Sequence, residues 1–322
     1  MISISAPAKL MIIGEYAVLE GGPAVVTAVN RRVRLRCSPR VCDDSTPDID
    51  ASLNYPQKRP EVVLTQQLAQ QKFGLRLSQM QLDTAELEAN ERKLGLGSSA
   101  AAAVATAAAT GVAAGLDLSA AADKAQIFDL AKMGHRALAP HGSGADIAAA
   151  VYGGTLLFQL AEPKPIVTDL PWPEGLRMSV VWTTVSARTS DFLTELVSFK
   201  AGHPASYAQC QRDLSEASQA FIDAFKVANI ANVLHATRDF VHALQLLDSA
   251  SGLGLITPEI AKICNLADRH GGAGKPSGAG GGDVCIAFFQ TVQSQAAFEA
   301  ACRRDNFLPL AISWSERGVC LD

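Results

Sequence analysis

Three glycine-bearing segments, an early lysine and a mid-chain aspartate are the residues of this 322-residue chain whose types and spacing suit chemistry. GLGSSA, Gly95 to Ala100, stands directly before a long alanine run. Glycines let consecutive N–H groups point into one concavity, and a helix N-terminus adds about half a positive charge. A polyphosphate needs both. A serine hydroxyl at the same place could ligate Mg²⁺, which takes oxygen donors and keeps several waters. No Lys-Ser/Thr pair follows the last glycine, so the segment is not a Walker A loop. A small-residue helix packed tightly against a sheet fits these residues too, and both readings stand.

GGAGKPSGAGGGD, Gly271 to Asp283, holds more glycine than a turn requires, and each glycine loses more freedom on folding than other residues do. Close approach of backbone to a ligand explains it better, with Lys275 as a point charge for an anion. HGSGADIAAAVYGG places Asp146 after a small-residue loop and before an apolar stretch, where an aspartate also serves as a helix N-cap. Lys9, in APAKL, taken alone fits an exposed surface lysine, as Glu15 and Glu20 fit exposed glutamates. His135, Arg136 and His141 lie near the aspartate, but without partners at ligand spacing a metal role for the histidines is the weaker reading.

The elements that must position these residues can be read from periodicity. Ile2, Ile4 and Ala6 alternate with serines and predict a first strand that enters a loop at Pro7 to Lys9. An apolar strand, a turn at Gly21–Pro23 and another apolar run follow. RRVRLRC, Arg31 to Cys37, alternates as a half-exposed strand whose arginines face solvent. Residues 43–60 read as a surface loop, followed by a polar helix around Glu61 to Lys72. Ser98 or Ser99 should cap the alanine helix, which stops near Gly111–Gly115, and another helix runs from Ser119 to Leu138 before Pro140 breaks it. The proline-rich stretch Pro163 to Gly175 marks the boundary between two domains, 1–165 and 166–322. Beyond it come a buried strand at Met178 to Thr184 and a helical pair bearing Leu214, Phe221 and Phe225, then Ile230, Leu234, Val241 and Leu244. The strand DVCIAFF, a helix at Ser294 to Arg304 and a last strand near Phe307 to Trp314 complete an α+β chain.

Apolar residues make up 48% and charged residues 19%, with a net charge of −4 and no basic run. Nucleic-acid binding, which leaves a concentrated Lys/Arg footprint, is therefore not expected. The seven scattered cysteines form no CxxC pair and read as reduced thiols of a cytoplasmic protein. Met1 to Gly22 lacks a basic leader and carries Glu15 and Glu20, unlike a signal peptide, and the alanine run is too weakly apolar for a membrane span.

Lys9 with GEYAVLEGGPAVV, then KLGLGSSAA, GSGAD and KPSGAGGGD, follow in this order along the whole chain. Together they resemble the GHMP small-molecule kinases, and among their branches the one acting on phosphomevalonate. Mevalonate kinases usually carry a histidine where Tyr16 stands. The resemblance implies ATP-dependent phosphoryl transfer to a small phosphorylated isoprenoid precursor, giving a diphosphate. It implies a two-domain fold: an N-terminal α/β domain with a left-handed βαβ crossover, a ferredoxin-like C-terminal domain, and the active site between them. Gly95, Leu96, Gly97, Ser98, Ser99, Ala100 and Ala101 become the phosphate loop, with Ser99 meeting Mg²⁺. Asp146 becomes the catalytic aspartate, with Ser143 and Gly144 beside it at the substrate, and Lys9 its cationic partner. Lys275, Ser277, Gly278, Ala279 and Gly280 belong to the segment that closes over substrate and phosphates.

Two positions depart from the pattern. Mevalonate kinases carry a metal-binding glutamate where this chain has His135, so magnesium would rely on Ser99, the ATP phosphates and water. SARTSDF has Arg188 where a small hydroxyl residue is usual. Arg188 either binds the acceptor phosphate or lies on a surface loop. A related kinase acting on an alcohol such as mevalonate or a sugar, and a nucleotide-binding homologue without turnover, are the alternatives; a homodimer is an open option.

Overall fold

A computed structural model describes residues 1–41, 59–89, 92–185 and 189–322. Most of the loop expected over 43–60, and Arg188, lie outside the described residues. The N-terminal strand β1 (Ile2–Ile13) is continuous, so the loop expected at Pro7 to Lys9 does not form. Its antiparallel pairing with β2 (Ala24–Val41) shifts register between Pro7 and Lys9 instead. Proline has no N–H for the ladder, and an irregularity there re-aims the side chains that follow. Lys9 is the next but one.

The far edge of β2 is shared by β3 (Leu75–Asp83), paired with Arg34 to Val41, and by a later strand paired with Ala24 to Thr27. A two-stranded ladder, β4 (Glu88–Ala89) with β5 (Arg92–Lys93), follows β3. The later strand is β6 (Thr155–Gln159), and β7 (Ile166–Asp169) pairs with it in turn. The first sheet thus runs past the break expected at residue 165. The second sheet is built from β8 (Arg177–Trp182), β9 (Ala273–Pro276), β10 (Val284–Phe289) and β11 (Leu308–Leu310), in the order β11-β8-β10-β9. Its first and second strands are separated by helices, as are its third and fourth, which is the ferredoxin-like arrangement. The final strand β12 (Cys320–Leu321) returns to β1 and completes the six-stranded first sheet. Arg32 holds that return, donating to the carbonyls of Gly318 at 2.7 Å and Ser5 at 3.0 Å, so it is not a solvated strand arginine.

Helices α1 (Pro60–Phe73), α2 (Ser98–Ala113) and α4 (Ala145–Tyr152) pack with the first sheet, and α3 (Ala121–His135) packs on all three of them. Between the sheets' strands in sequence come α5 (Thr189–Gly202), α6 (Pro204–Lys226), α7 (Ile230–Ser251) and α8 (Pro258–Arg269), and α9 (Val292–Arg304) precedes β11. The expected pair is α6 and α7, and the apolar residues that predict it are all buried or nearly so.

The alanine run is α2. Every residue from Ala100 to Gly111 is buried, because the helix contacts β1, β2 and β3 as well as α1, α3 and α4. A helix covered all round needs no polar face, and small side chains let the surrounding layers approach it. Thr106 and Thr110 satisfy their buried hydroxyls inside the helix, donating to the carbonyls of Ala102 and Thr106. Among the described residues no helix is long and apolar enough to cross a membrane.

Ala105 is fully buried. Ala105→Leu should destabilise the fold by about 1–3 kcal/mol through overpacking, read as a lower denaturant midpoint; an unchanged midpoint would show that α2 has spare room.

Candidate active site

Lys9 is gripped from several directions. Its N–H donates to the Leu96 carbonyl at 2.9 Å, fastening the GLGSSA loop to β1. A Cβ added to Gly97 would lie 3.1 Å from Cε of Lys9, and one added to Gly278 would lie 3.9 Å from its Nζ. The ammonium group therefore sits between two glycine segments far apart in sequence. The Gly97 approach depends on the missing side chain, while a Cβ on Gly278 would meet the ammonium group at ordinary contact distance.

Gly95 and Gly97 adopt left-handed backbone, φ 76° and 80°, which glycine takes without strain. Gly95 also packs against Asp283, whose Cβ would be 2.3 Å from an added Cβ. The helix that follows is capped by Gly97 rather than by Ser98 or Ser99, and no side chain bonds to its first N–H groups. Those groups and the helix dipole make this end of α2 fit for an anion.

Three side chains meet beside it. His135, the last residue of α3, is buried, and a hydrogen bond of 3.0 Å joins its Nε2 to Oγ of Ser99. Its Nδ1 lies 4.0 Å from Oδ2 of Asp146. Asp146 stands in the first turn of α4, behind Gly144 as the cap, and its Oδ1 accepts the Ile147 N–H at 2.9 Å. Serine, histidine and aspartate in this order suggest a hydrolase triad, but the histidine–aspartate separation exceeds a hydrogen bond. Nothing here orients the imidazole as a base toward Ser99.

These groups open onto one cavity of about 870 Å³, within the size range of small-molecule sites. Lys9, Gly95 to Ser99, Ser143, Asp146, Gly278 and Ala279 all line it, as the sequence leads one to expect. Other expected residues are placed elsewhere. Ala100 and Ala101 are buried in α2 behind the loop. Gly144 makes room for Lys132, and Gly280 packs on the Leu255 carbonyl. The Ser277 hydroxyl accepts the Met11 N–H at 2.9 Å and donates to the Met11 carbonyl at 3.0 Å, tying the glycine segment to β1. Lys275 is not a free charge for an anion: it is fully buried in β9 and paired with Glu15 at 2.5 Å.

Sequence reading left Glu15, Tyr16, Arg92, Lys93 and Asp283 without a site role, yet they line the cavity. Tyr16 donates to the Ala279 carbonyl at 2.5 Å; burial, with the nearby Glu15 charge, pushes its hydroxyl well above the usual tyrosine range, so it stays a donor. The only signal for Glu15 and Tyr16 was their place in GEYAVLEGG. Arg92 and Lys93 carried none beyond adjacency to the loop. For a magnesium ion the chain offers the Ser99 hydroxyl and the Asp146 carboxylate, and the described residues hold no group of three or more His, Cys, Asp or Glu side chains built for a metal. That donor set fits a cation held mainly by phosphate oxygens and water.

Residues 63–154 match the family model of the GHMP kinases N terminal domain, and residues 222–306 that of GHMP kinases C terminal. The phosphomevalonate kinase of Streptomyces sp. (strain CL190) is 30% identical to this chain, covering 98% of it and 97% of the relative. The chain belongs to the GHMP kinase family. It is thus a phosphotransferase, of a family that uses ATP. A mevalonate kinase of Archaeoglobus fulgidus is 27% identical, over 91% of this chain and 94% of its own. The Streptococcus pneumoniae phosphomevalonate kinase in complex with phosphomevalonate and AMPPNP shares the fold, with a TM-score of 0.77 at 20% identity, covering 98% of this chain and 100% of that one.

In this GHMP kinase the Gly97–Lys9 contact should be sensitive to one methyl group. Gly97→Ala should lower kcat by about two orders of magnitude, by straining the loop and displacing Lys9, while the melting temperature changes little; a kcat within a factor of about three would refute the contact's importance.

Proposed function

We propose that the enzyme transfers the γ-phosphoryl group of ATP to phosphomevalonate, giving diphosphomevalonate and ADP. The observation that carries this reading is the convergence of Lys9, the N-terminus of α2 and Asp146 on one cavity. The likeness to a phosphomevalonate kinase over nearly the whole chain supports the choice of acceptor. Mevalonate is the second reading, favoured by the mevalonate kinase relatives.

An oxygen of the acceptor's phosphate attacks the γ-phosphorus as the bond to the β-phosphate oxygen breaks. Such a transfer needs positioning and charge neutralisation more than covalent chemistry. The N–H groups at the start of α2 bind the β- and γ-phosphates, and Lys9 balances charge on the moving group. Mg²⁺, when bound with the nucleotide, neutralises further phosphate charge, with Ser99 and Asp146 as the residues that would hold it. His135 fixes the Ser99 hydroxyl toward that task. Ser143 and the Gly278–Ala279 backbone face the acceptor.

What Asp146 does depends on the acceptor. An alcohol must lose its proton, and a positioned base contributes roughly 10²–10⁴-fold to such a step. A phosphate monoester has its second pKa near about 6 and is mostly ionised already at neutral pH. Asp146 then orients Lys9 and the metal, and its base function matters little.

Three acceptors tested side by side for ATP consumption decide the reading: turnover with phosphomevalonate and none with mevalonate or galactose is expected, and the reverse order would overturn it. Absence of turnover with all three would overturn this choice of acceptor. Asp146→Asn should cut kcat severely, yet by less than the same change in a mevalonate kinase; an equal loss would argue for a base. Arg188→Ala should raise KM for the acceptor and leave KM for ATP alone, and an unchanged acceptor KM would assign Arg188 to the surface.

A further inference from the structure

One charged pair inside the molecule has no part in the transfer just described. Lys275 in β9 is fully buried, donates to Glu15 Oε1 at 2.5 Å and to the Pro276 carbonyl at 2.6 Å, and lies over the Phe240 ring, 5.5 Å from its centroid. Burial pulls its pKa below the usual lysine range, and the Glu15 carboxylate opposes that shift. Glu15 follows β1, is 4% exposed, and still lines the cavity. Its Oε1 also accepts the Gly278 N–H at 3.1 Å, while Oε2 has no hydrogen-bond partner among the described residues. Gly278 is the glycine whose added Cβ would lie 3.9 Å from Nζ of Lys9.

A carboxylate is an ill-suited wall for a cavity that takes a polyphosphate. Left alone it would repel the ligand, and its own burial would be expensive. Paired with a lysine that solvent and ligand do not reach, it forms a unit of no net charge, and the same oxygen still accepts an N–H. We propose that Lys275 is a positioning residue acting through Glu15: it cancels the carboxylate's charge, so that Glu15 can hold Gly278 beside Lys9 without repelling the nucleotide. This rests on reading the cavity as the nucleotide site. Lys275 thus serves anion binding by neutralising a glutamate, without touching the anion.

Calorimetric titration of the intact enzyme with ADP at pH 8.5 tests this, because ADP binding is independent of the acceptor's identity. Lys275→Met leaves the carboxylate uncompensated and should weaken ADP about tenfold, raising KM for ATP more than it lowers kcat. Glu15→Gln combined with Lys275→Met keeps an acceptor for the Gly278 N–H and removes both charges; its ADP affinity should return to within about threefold of wild type. Wild-type affinity in Lys275→Met, or a double variant as weak as the single, would overturn the proposal. If Lys275→Met does not fold, as a lost melting transition would show, the double variant decides alone: near-normal affinity upholds the proposal and a loss beyond about tenfold refutes it. A wild-type enzyme that binds ADP but phosphorylates no acceptor would refute the proposed function and leave this test intact.

Discussion

Lys9 has room because Gly97 carries no Cβ, and much of the architecture serves that contact. A β-strand supplies the lysine, its backbone N–H holds the phosphate loop by the Leu96 carbonyl, and a strand pair of the second sheet brings Gly278 from the other side. An ammonium group so enclosed loses little further freedom on meeting a phosphate. Preorganisation of this kind is where electrostatic catalysis gains most, since no dipole need turn as charge moves.

The alanine helix behind the loop follows from the same economy of volume. Its dipole points at the loop, and its small side chains allow a layer of helices on one side and the sheet on the other to close over it. Side chains of ordinary size would push α2 out of the layer and carry the loop away from Lys9. The third glycine segment is held as firmly, by Ser277 on Met11, Tyr16 on Ala279 and Glu15 on Gly278. All three partners lie in β1 or just after it. One stretch of chain, Lys9 to Tyr16, thus organises both glycine segments.

Ser99, His135 and Asp146 show how little residue types alone decide. In a hydrolase the histidine would bond to both neighbours, taking the serine's proton while the aspartate holds the ring in place. Here, among the described residues, it bonds to Ser99 and stands 4.0 Å from Asp146, which spends one oxygen on the Ile147 N–H. The serine stands at a helix N-terminus on the cavity wall, beside N–H groups fit for an anion.

The amino-acid sequence by itself determined the element types where periodicity was strong: the alternating strand around Val33, Leu35 and Cys37, the pair α6 and α7, and the alanine helix. Glycine spacing made the close approach of the Gly95–Gly97 backbone to Lys9 and Asp283 legible, because such packing leaves a compositional mark. Local patterns could not determine long-range placement. Pro7 looked like a strand end, but pairing with β2 carries the strand through it by a register shift. The strand at residues 320–321 is too short to show periodicity and exists only because β1 offers an edge. Lys275 read as a charge for an anion, since nothing nearby in sequence reveals that Glu15, 260 residues away, neutralises it. A side chain's charge is set by composition, but whether that charge is spent on a ligand or on another residue is decided by burial and by partners, which only the folded chain brings together.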